Sequence, residues 1–333
     1  MEVRPAGEIL ETLDEQGALD GLPFMPEMVP FCGQRFEVDR RVERVCDTVN
    51  RAQWSVSLAN TVYLDGLRCD GSAHGGCQAI CRFFWKEAWL KLVDHRDPVR
   101  QATDDRDTQA LLARVAAVTT RSTDNTDVRY RCQATELPAF SEFISAKDPR
   151  QYVREYTSGN VNLRTFAKVM ARAAVMQPLH HLGRLPNPPV RGSSTKSPET
   201  SPLNLQPGEW VRVKARDEIA KTLTDKGRNR GLWFDREMLP FCGGIFRVEK
   251  RVTQIIDEAT GKMIELGNDC IMLENAFCSG ERSVGRWFCP REIPAYWREC
   301  WLERVAPPAE ARSRPGDDAR TETSSDDRGA NGA

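Results

Sequence analysis

Two stretches of this chain are close copies of one another. Residues 21–47 read GLPFMPEMVPFCGQRFEVDRRVERVCD, and residues 231–257 read GLWFDREMLPFCGGIFRVEKRVTQIID. The similarity returns at the far end of each copy, where CQAICRFFWKEAWLKLV aligns with CPREIPAYWRECWLERV. A repeat of this size indicates a duplicated folding unit. We therefore predict two related modules, over residues 1–93 and 208–305.

The segments outside the copies differ in character. Residues 94–127 are polar and predict a linker, and residues 182–207 are rich in Pro and Ser, as is typical of a flexible tether. Residues 128–181 predict a helical middle segment, because residues 162–176 place apolar side chains at helical spacing. Residues 306–333 are acidic and almost without large apolar side chains, so we expect a disordered tail.

Within each copy the residue pattern favours β-strands. Residues 209–214 and 245–252 alternate polar and apolar side chains, and residues 259–262 have the composition of a hairpin turn. Short helical turns are predicted at residues 217–224 and 235–239, each beginning with an aspartate suited to capping. About five short strands per copy predict a small closed barrel, which leaves no exposed sheet edge. The predicted fold class is mainly β with a helical insert, an α+β arrangement.

The opening of the second copy carries a family resemblance. GEWVRVKARDEI, followed by a loop and GIFRVEKRV, resembles the start of an SH3-like barrel. The whole chain resembles uncharacterised bacterial proteins with two such cysteine-bearing modules, over the two copies and not over the middle segment. SH3-like modules commonly serve recognition or scaffolding, so the resemblance implies a tandem-repeat recognition or assembly protein.

Charge and hydropathy exclude several classes of protein. The net charge of −1 gives no general attraction to nucleic acid or to an acidic membrane surface. No stretch approaches the roughly eighteen consecutive apolar residues of a membrane-spanning helix. Acidic residues interrupt the N-terminal stretch where a secretory signal needs apolar residues. We expect a cytoplasmic protein, where 11 cysteines favour metal binding or redox chemistry over structural disulfides.

The cysteines of the first copy have a spacing that can supply a zinc site. Zinc takes four thiolate or imidazole ligands in a tetrahedron. The first copy offers Cys32 before Gly33, and then Cys69-x4-His74-x2-Cys77-x3-Cys81. We predict a site of Cys32, Cys69 and Cys77, completed by either His74 or Cys81.

The second copy retains three of these cysteines. Cys242, Cys278 and Cys289 align with those of the first copy, but no histidine accompanies them. This copy could use a distant fourth ligand, carry a partial zinc site, or hold an iron–sulfur cluster with an unusual fourth position. Two other interpretations stay open for both copies. The thiols could simply fill the cores, or a pair such as Cys77 and Cys81 could perform redox chemistry.

Other side chains are assigned structural roles. The tryptophans at i, i+4 spacing in each copy predict packing onto the module rather than a ligand platform; they are Trp85, Trp89, Trp297 and Trp301. Asp47 and Asp257 are expected either to pair with Arg41 and Arg251 or to begin turns. Arg150 and Arg154 favour a solvated helix face over an anion pocket.

These observations favour a recognition or assembly protein, a metal-binding accessory factor of a bacterial pathway with a protein partner. The flexible tether suits multivalent binding. The alternative is a metal- or thiol-dependent enzyme or redox accessory that uses the repeat cysteines and the middle segment.

Overall fold

A computed structural model describes residues 1–50, 55–94, 104–121, 127–145, 148–199 and 201–308. Among these residues, the first copy contains the α-helix α1 (Ala6–Thr12) and the 3-10 helices Pro26–Phe31 and Glu87–Trp89. Its strands are β1 (Glu2–Val3), β2 (Ala18–Leu19), β3 (Leu22–Pro23), β4 (Val38–Arg41), β5 (Arg44–Cys46), β6 (Ser55–Ser57), β7 (Thr61–Leu64), β8 (Trp85–Lys86) and β9 (Leu90–Lys91).

The region between the two copies, residues 94–207, contains helices and short strands. Its helices are α2 (Asp105–Ala116), α3 (Arg150–Thr157) and α4 (Leu163–His181), with a 3-10 helix at Leu137–Ala139. Its short strands are β10 (Thr120–Arg121), β11 (Arg129–Tyr130) and β12 (Glu142–Phe143). Helices α3 and α4 lie within residues 128–181, the segment that the sequence predicts to be helical. Asn162 caps α4, because its side chain accepts a hydrogen bond from the Thr165 N–H at 2.8 Å.

The second copy repeats the element order of the first. It contains α5 (Arg216–Ala220) and two 3-10 helices, Arg236–Phe241 and Glu299–Trp301. Its strands are β13 (Trp210–Val213), β14 (Arg228–Asn229), β15 (Leu232–Trp233), β16 (Ile245–Ile256), β17 (Met263–Phe277), β18 (Pro294–Trp297) and β19 (Leu302–Arg304). Strand β16 corresponds to β4 and β5 together, and β17 to β6 and β7. The observed fold is α+β.

The sheets differ between the copies. Five antiparallel strands of the second copy pair in the order β18-β17-β16-β13-β19. In the first copy the shorter strands form separate sheets, β4-β7-β8 and β1-β9, and β12 of the middle segment extends β6-β5. The described residues thus form several small sheets and no closed barrel, unlike the closed form that we predicted.

The tryptophans lie in the cores, as predicted. Phe24 packs edge-on against Trp85 and Trp89, with ring centroids 6.0 and 5.1 Å apart. The indole N–H of Trp89 donates to the hydroxyl of Thr12 at 3.1 Å, which satisfies a buried donor. The second copy repeats this arrangement with Phe234, Trp297, Trp301 and Thr222. The repeat in sequence is therefore a repeat in core packing.

Two segments predicted as linkers pack against the modules instead. Helix α2 lies within residues 94–127 and buries Leu111 and Val115 in the first core. In the Pro/Ser-rich segment, Val190 and Leu205 are buried in the second core. The carboxylate of Glu299 accepts hydrogen bonds from three consecutive backbone N–H groups, those of residues 203–205. A few buried apolar side chains suffice to dock a polar segment, and composition does not reveal them. Most of the predicted tail, from residue 309 onward, lies outside the described residues.

Candidate functional site

Each copy presents a loop bounded by two cysteines, Cys69 to Cys77 in the first and Cys278 to Cys289 in the second. The glycine two residues after the first cysteine has positive φ, +72° at Gly71 and +66° at Gly280. Its backbone N–H hydrogen-bonds to the sulfur of that cysteine. A side chain at Gly280 would place its Cβ 2.5 Å from the backbone nitrogen of Cys289. Glycine therefore lets each loop fold tightly back on itself.

A buried glutamate holds each loop in place. Glu27 Oε1 accepts from the Ala73 N–H at 3.1 Å and contacts His74 Nδ1 at 2.7 Å. The aligned Glu237 accepts hydrogen bonds from the Arg282 N–H at 2.6 Å and from the hydroxyls of two serines in the loop between Cys278 and Cys289. Both glutamates come from the 3-10 helix that precedes the central strands. They replace the hydrogen bonds to water that these loop donors lose on burial.

His74 belongs to this loop anchor. Its Nε2 lies 3.1 Å from the carbonyl oxygen of Arg131, which can only accept a hydrogen bond. Because Nδ1 faces Glu27, both ring nitrogens already have protein partners. The imidazole is 1 % exposed. In this arrangement His74 offers no nitrogen lone pair to a metal ion, although the sequence made it a candidate ligand.

The second cysteine of each loop contacts the other copy. The backbone N–H of Ile256 donates to the sulfur of Cys77 at 3.4 Å, and the backbone N–H of Cys46 donates to the sulfur of Cys289 at 3.1 Å. Cys77 aligns with Cys289, and Cys46 aligns with Ile256. The two contacts are therefore reciprocal. The cysteine loop of each module contacts the end of a strand in the other module. That strand end is Cys46 of β5 in the first copy and the equivalent Ile256 of β16 in the second.

The first loop opens into a cavity of about 270 Å³ between the copies, which we call the first thiol cavity. Four cysteines line it, Cys69, Cys77, Cys81 and Cys132. Cys132 comes from the middle segment, and Cys69 is tied to Cys81 by a backbone hydrogen bond of 2.8 Å. Much of the remaining lining is apolar, including Ile80, Phe83 and Ile256.

Burial controls the ionisation of the thiols in this cavity. It raises the pKa of Cys69 and of Cys81 far above the ordinary value of 9.0, because an apolar environment disfavours the thiolate. Burial also raises the pKa of Cys132 to about 11, although the N–H groups of Ala134 and Thr135 donate to its sulfur and oppose the shift. These three thiols are neutral at pH 7. Each would release a proton on binding a metal ion.

A second thiol cavity, of about 230 Å³, adjoins the first. The cysteines that line it are Cys46, Cys278 and Cys289. Arg291 lines both cavities and donates to the carbonyl of Cys46 at 3.3 Å, while its other terminal nitrogen lies 3.0 Å from Glu258. This guanidinium is 5 % exposed. It contacts both copies at the boundary between them, which we call the seam.

The predicted ligand sets are only partly assembled. Cys69, His74, Cys77 and Cys81 line one cavity, and Cys278 and Cys289 line the other. Cys32 and Cys242 instead pack with the cores of their own modules. Burial raises the pKa of Cys32 to about 12, as expected for a thiol that fills a core. Within the described residues, no group of three or more His, Cys, Asp or Glu side chains is arranged to hold a metal ion.

Two cysteines at these cavities were not among the predicted metal ligands. Cys132 lies outside the copies, and Cys46 aligns with an isoleucine, so a search for cysteines shared by the copies passes over both. Their position becomes evident only when the modules pack together. No motif spacing could have indicated it.

The paired arginines and aspartates have separate partners. Arg41 pairs with Glu87, and the aligned Arg251 pairs with Glu299 at 2.6 Å. The carboxylate of Asp47 accepts from the N–H groups of residues 49 and 50, so it begins a turn. Of the two roles considered for these aspartates, the turn is the one observed at Asp47.

Comparisons with known proteins give no relative for this chain. No protein family matches it, and no curated protein or solved structure does so either. Among the described residues, no helix has the length and apolar character needed to cross a membrane.

Proposed function

We propose that both copies are SH3-like modules. The strand order of the second copy supports this proposal. Its last strand, β19, returns to pair with its first, β13, and a 3-10 helix connects β18 to β19. Return of the last strand to the first is how a small barrel protects its sheet edges. The first copy carries the same succession of elements in shorter strands.

We further propose that the protein binds a thiophilic metal ion, zinc in the first instance, in the first thiol cavity. The observation that carries this proposal is the grouping of Cys69, Cys77, Cys81 and Cys132 around one cavity. This set retains three ligands expected from the sequence and replaces Cys32 with Cys132. Zinc prefers four thiolate or imidazole ligands, and four thiols are at hand.

Hydrogen bonds to the sulfur atoms support the same proposal. Backbone N–H groups donate to Cys69, Cys77 and Cys132. Such donors stabilise the negative charge of a thiolate, which is the form that binds metal. The four thiols surround the cavity rather than forming a ready ligand set, so the ion would draw them together and release their protons.

The biological role that fits this chemistry is recognition or assembly by a metal-stabilised pair of modules, with a protein partner. A metal held at the seam would fix the relative position of the two modules. We propose a location in the reducing cytoplasm, a proposal supported by the 11 cysteines, all of them described and all free.

Metal analysis of the purified full chain tests this function. We expect about one zinc per chain, with the thiols of the cavity protected from alkylation until a chelator is added. Replacement of Cys132 by Ser should remove most of the metal, whereas Cys242→Ser, in the second core, should retain it. Metal-free protein that binds no added zinc would refute the proposal, as would equal metal content in both variants. Bound iron together with an absorbance in the visible range would indicate that the site holds an iron–sulfur cluster and not zinc.

A further inference from the structure

Cys289 has a sulfur environment unlike that of the other loop cysteines. Its sulfur accepts a hydrogen bond from the backbone N–H of Cys46 at 3.1 Å, and the Cys46 thiol and the Arg291 N–H both lower its pKa. Both cysteines are buried, at 5 % and 6 % exposure. The backbone N–H of Cys46 and the sulfur of Cys289 are therefore in direct contact across the two modules, although the residues lie 243 positions apart in sequence.

The interaction between the two cysteines shifts their pKa values in opposite directions. Donation from the Cys46 thiol lowers the pKa of Cys289, and the same interaction raises the pKa of Cys46 well above its ordinary value. Arg286 and Arg291 line the same cavity and add positive charge. Cys289 is thus the thiol that loses its proton more readily of the two.

The geometry points to a peroxide-reactive thiol pair, Cys289 and Cys46, that forms a disulfide between the two modules. The oxidant is hydrogen peroxide or a small organic hydroperoxide. The thiolate of Cys289 attacks the terminal peroxide oxygen, the O–O bond breaks, and water or an alcohol leaves after taking up a proton. Cys289 is then a sulfenic acid. The sulfur of Cys46 attacks it, forms the S–S bond and expels water, so that two thiols are oxidised and one peroxide is reduced.

The surrounding residues explain why Cys46 would be the partner. Cys278 lines the same cavity, but burial raises its pKa strongly, and its presence raises rather than lowers the pKa of Cys289. The backbone N–H of Cys46 lies 3.1 Å from the Cys289 sulfur and both residues line this cavity, which places Cys46 beside the atom to be attacked. The cavity of about 230 Å³ provides room for a peroxide. This site is separate from the proposed metal site and does not depend on it.

Peptide mapping of the full-length protein after treatment with hydrogen peroxide tests the pair. Protein is reduced, freed of reductant, treated with equimolar hydrogen peroxide, alkylated in denaturant and digested without reduction. We expect the main product to join the peptides of Cys46 and Cys289, with the loss of two hydrogen atoms. In Cys46→Ser the cross-link should vanish, and a sulfenic-acid reagent should label Cys289 instead. Cys242→Ser should form the cross-link as the unaltered protein does.

Several results would overturn the inference. They are a main cross-link from Cys289 to Cys278, a main disulfide among the cysteines of the first thiol cavity, and free Cys289 at peroxide levels that oxidise other thiols. The map of the unaltered protein decides the matter even if Cys46→Ser fails to fold. Zinc content is measured on the same sample before oxidation. The zinc content tests the metal site and the peptide map tests the thiol pair, so either proposal can fail without the other.

Discussion

Glu155 in α3 provides a pH-dependent test of the packing around the middle segment. Its side chain is 1 % exposed, and its Oε2 accepts one hydrogen bond, from the amide of Asn160 at 2.8 Å. The other oxygen, Oε1, is buried and has no hydrogen-bond partner among the described residues. Burial raises the pKa of Glu155 from 4.5 to about 7, and the nearby Arg44 only partly opposes that shift.

The size of the effect follows from linkage. A carboxyl group with a raised pKa in the folded state binds its proton more tightly there than in the unfolded chain. Its favourable contribution is complete below pH 4.5 and is lost as the pH rises through about 7. The change from 4.5 to about 7 corresponds to roughly 3 kcal/mol at about 1.4 kcal/mol per pH unit. Glu155→Gln keeps the shape and the amide contact but cannot ionise.

Urea denaturation at about pH 5 and about pH 8 measures this difference. The free energy of unfolding of Glu155→Gln relative to the unaltered protein should rise by about 2–3 kcal/mol between the two pH values. Glu15→Gln, at an exposed turn, is the matched control and should show little change. A difference that is the same at both pH values would show that Glu155 is solvated, and it would refute the burial argument.

Two further predictions concern the loops and the seam. Oxidation of Ile256→Cys should link position 256 to Cys77, because the Ile256 N–H contacts that sulfur as Cys46 contacts Cys289; peptide mapping that finds position 256 only as a free thiol would contradict the equivalence of the two contacts. Gly280→Ala should lower the free energy of unfolding by more than the control Gly66→Ala does. Gly66 has a similar positive φ, but a Cβ added there would meet open space, so the control should cost about 1 kcal/mol. Equal losses in urea denaturation would mean that the loop relaxes around the new methyl group.

The repeat and the secondary-structure class could be predicted because they depend on local patterns. Alternating side chains gave β13 and the first part of β16, and helical spacing gave α4. The aromatic cores followed from matched tryptophans. These features need only neighbours in sequence, or a copy of the same pattern elsewhere in the chain.

The site could be predicted only in part, because it is built between segments. Matched cysteines in two copies show that both modules use a thiol, but they do not distinguish a core from a cavity. Cys32 and Cys242 are shared for core packing, whereas Cys77 and Cys289 are shared for contact across the seam. Helix α2 was missed for a related reason, since only Leu111 and Val115 of its side chains are buried.

The reciprocal docking of the cysteine loops has a consequence for how this protein can change. In a dimer of identical subunits, such contacts would form only at concentrations that allow association, and every substitution would be present in both subunits. In a single chain that carries both copies, the contacts form at any protein concentration. A single chain can also carry a thiol at position 46 and a hydrocarbon side chain at the equivalent position 256. The two contacts can therefore differ in their chemistry.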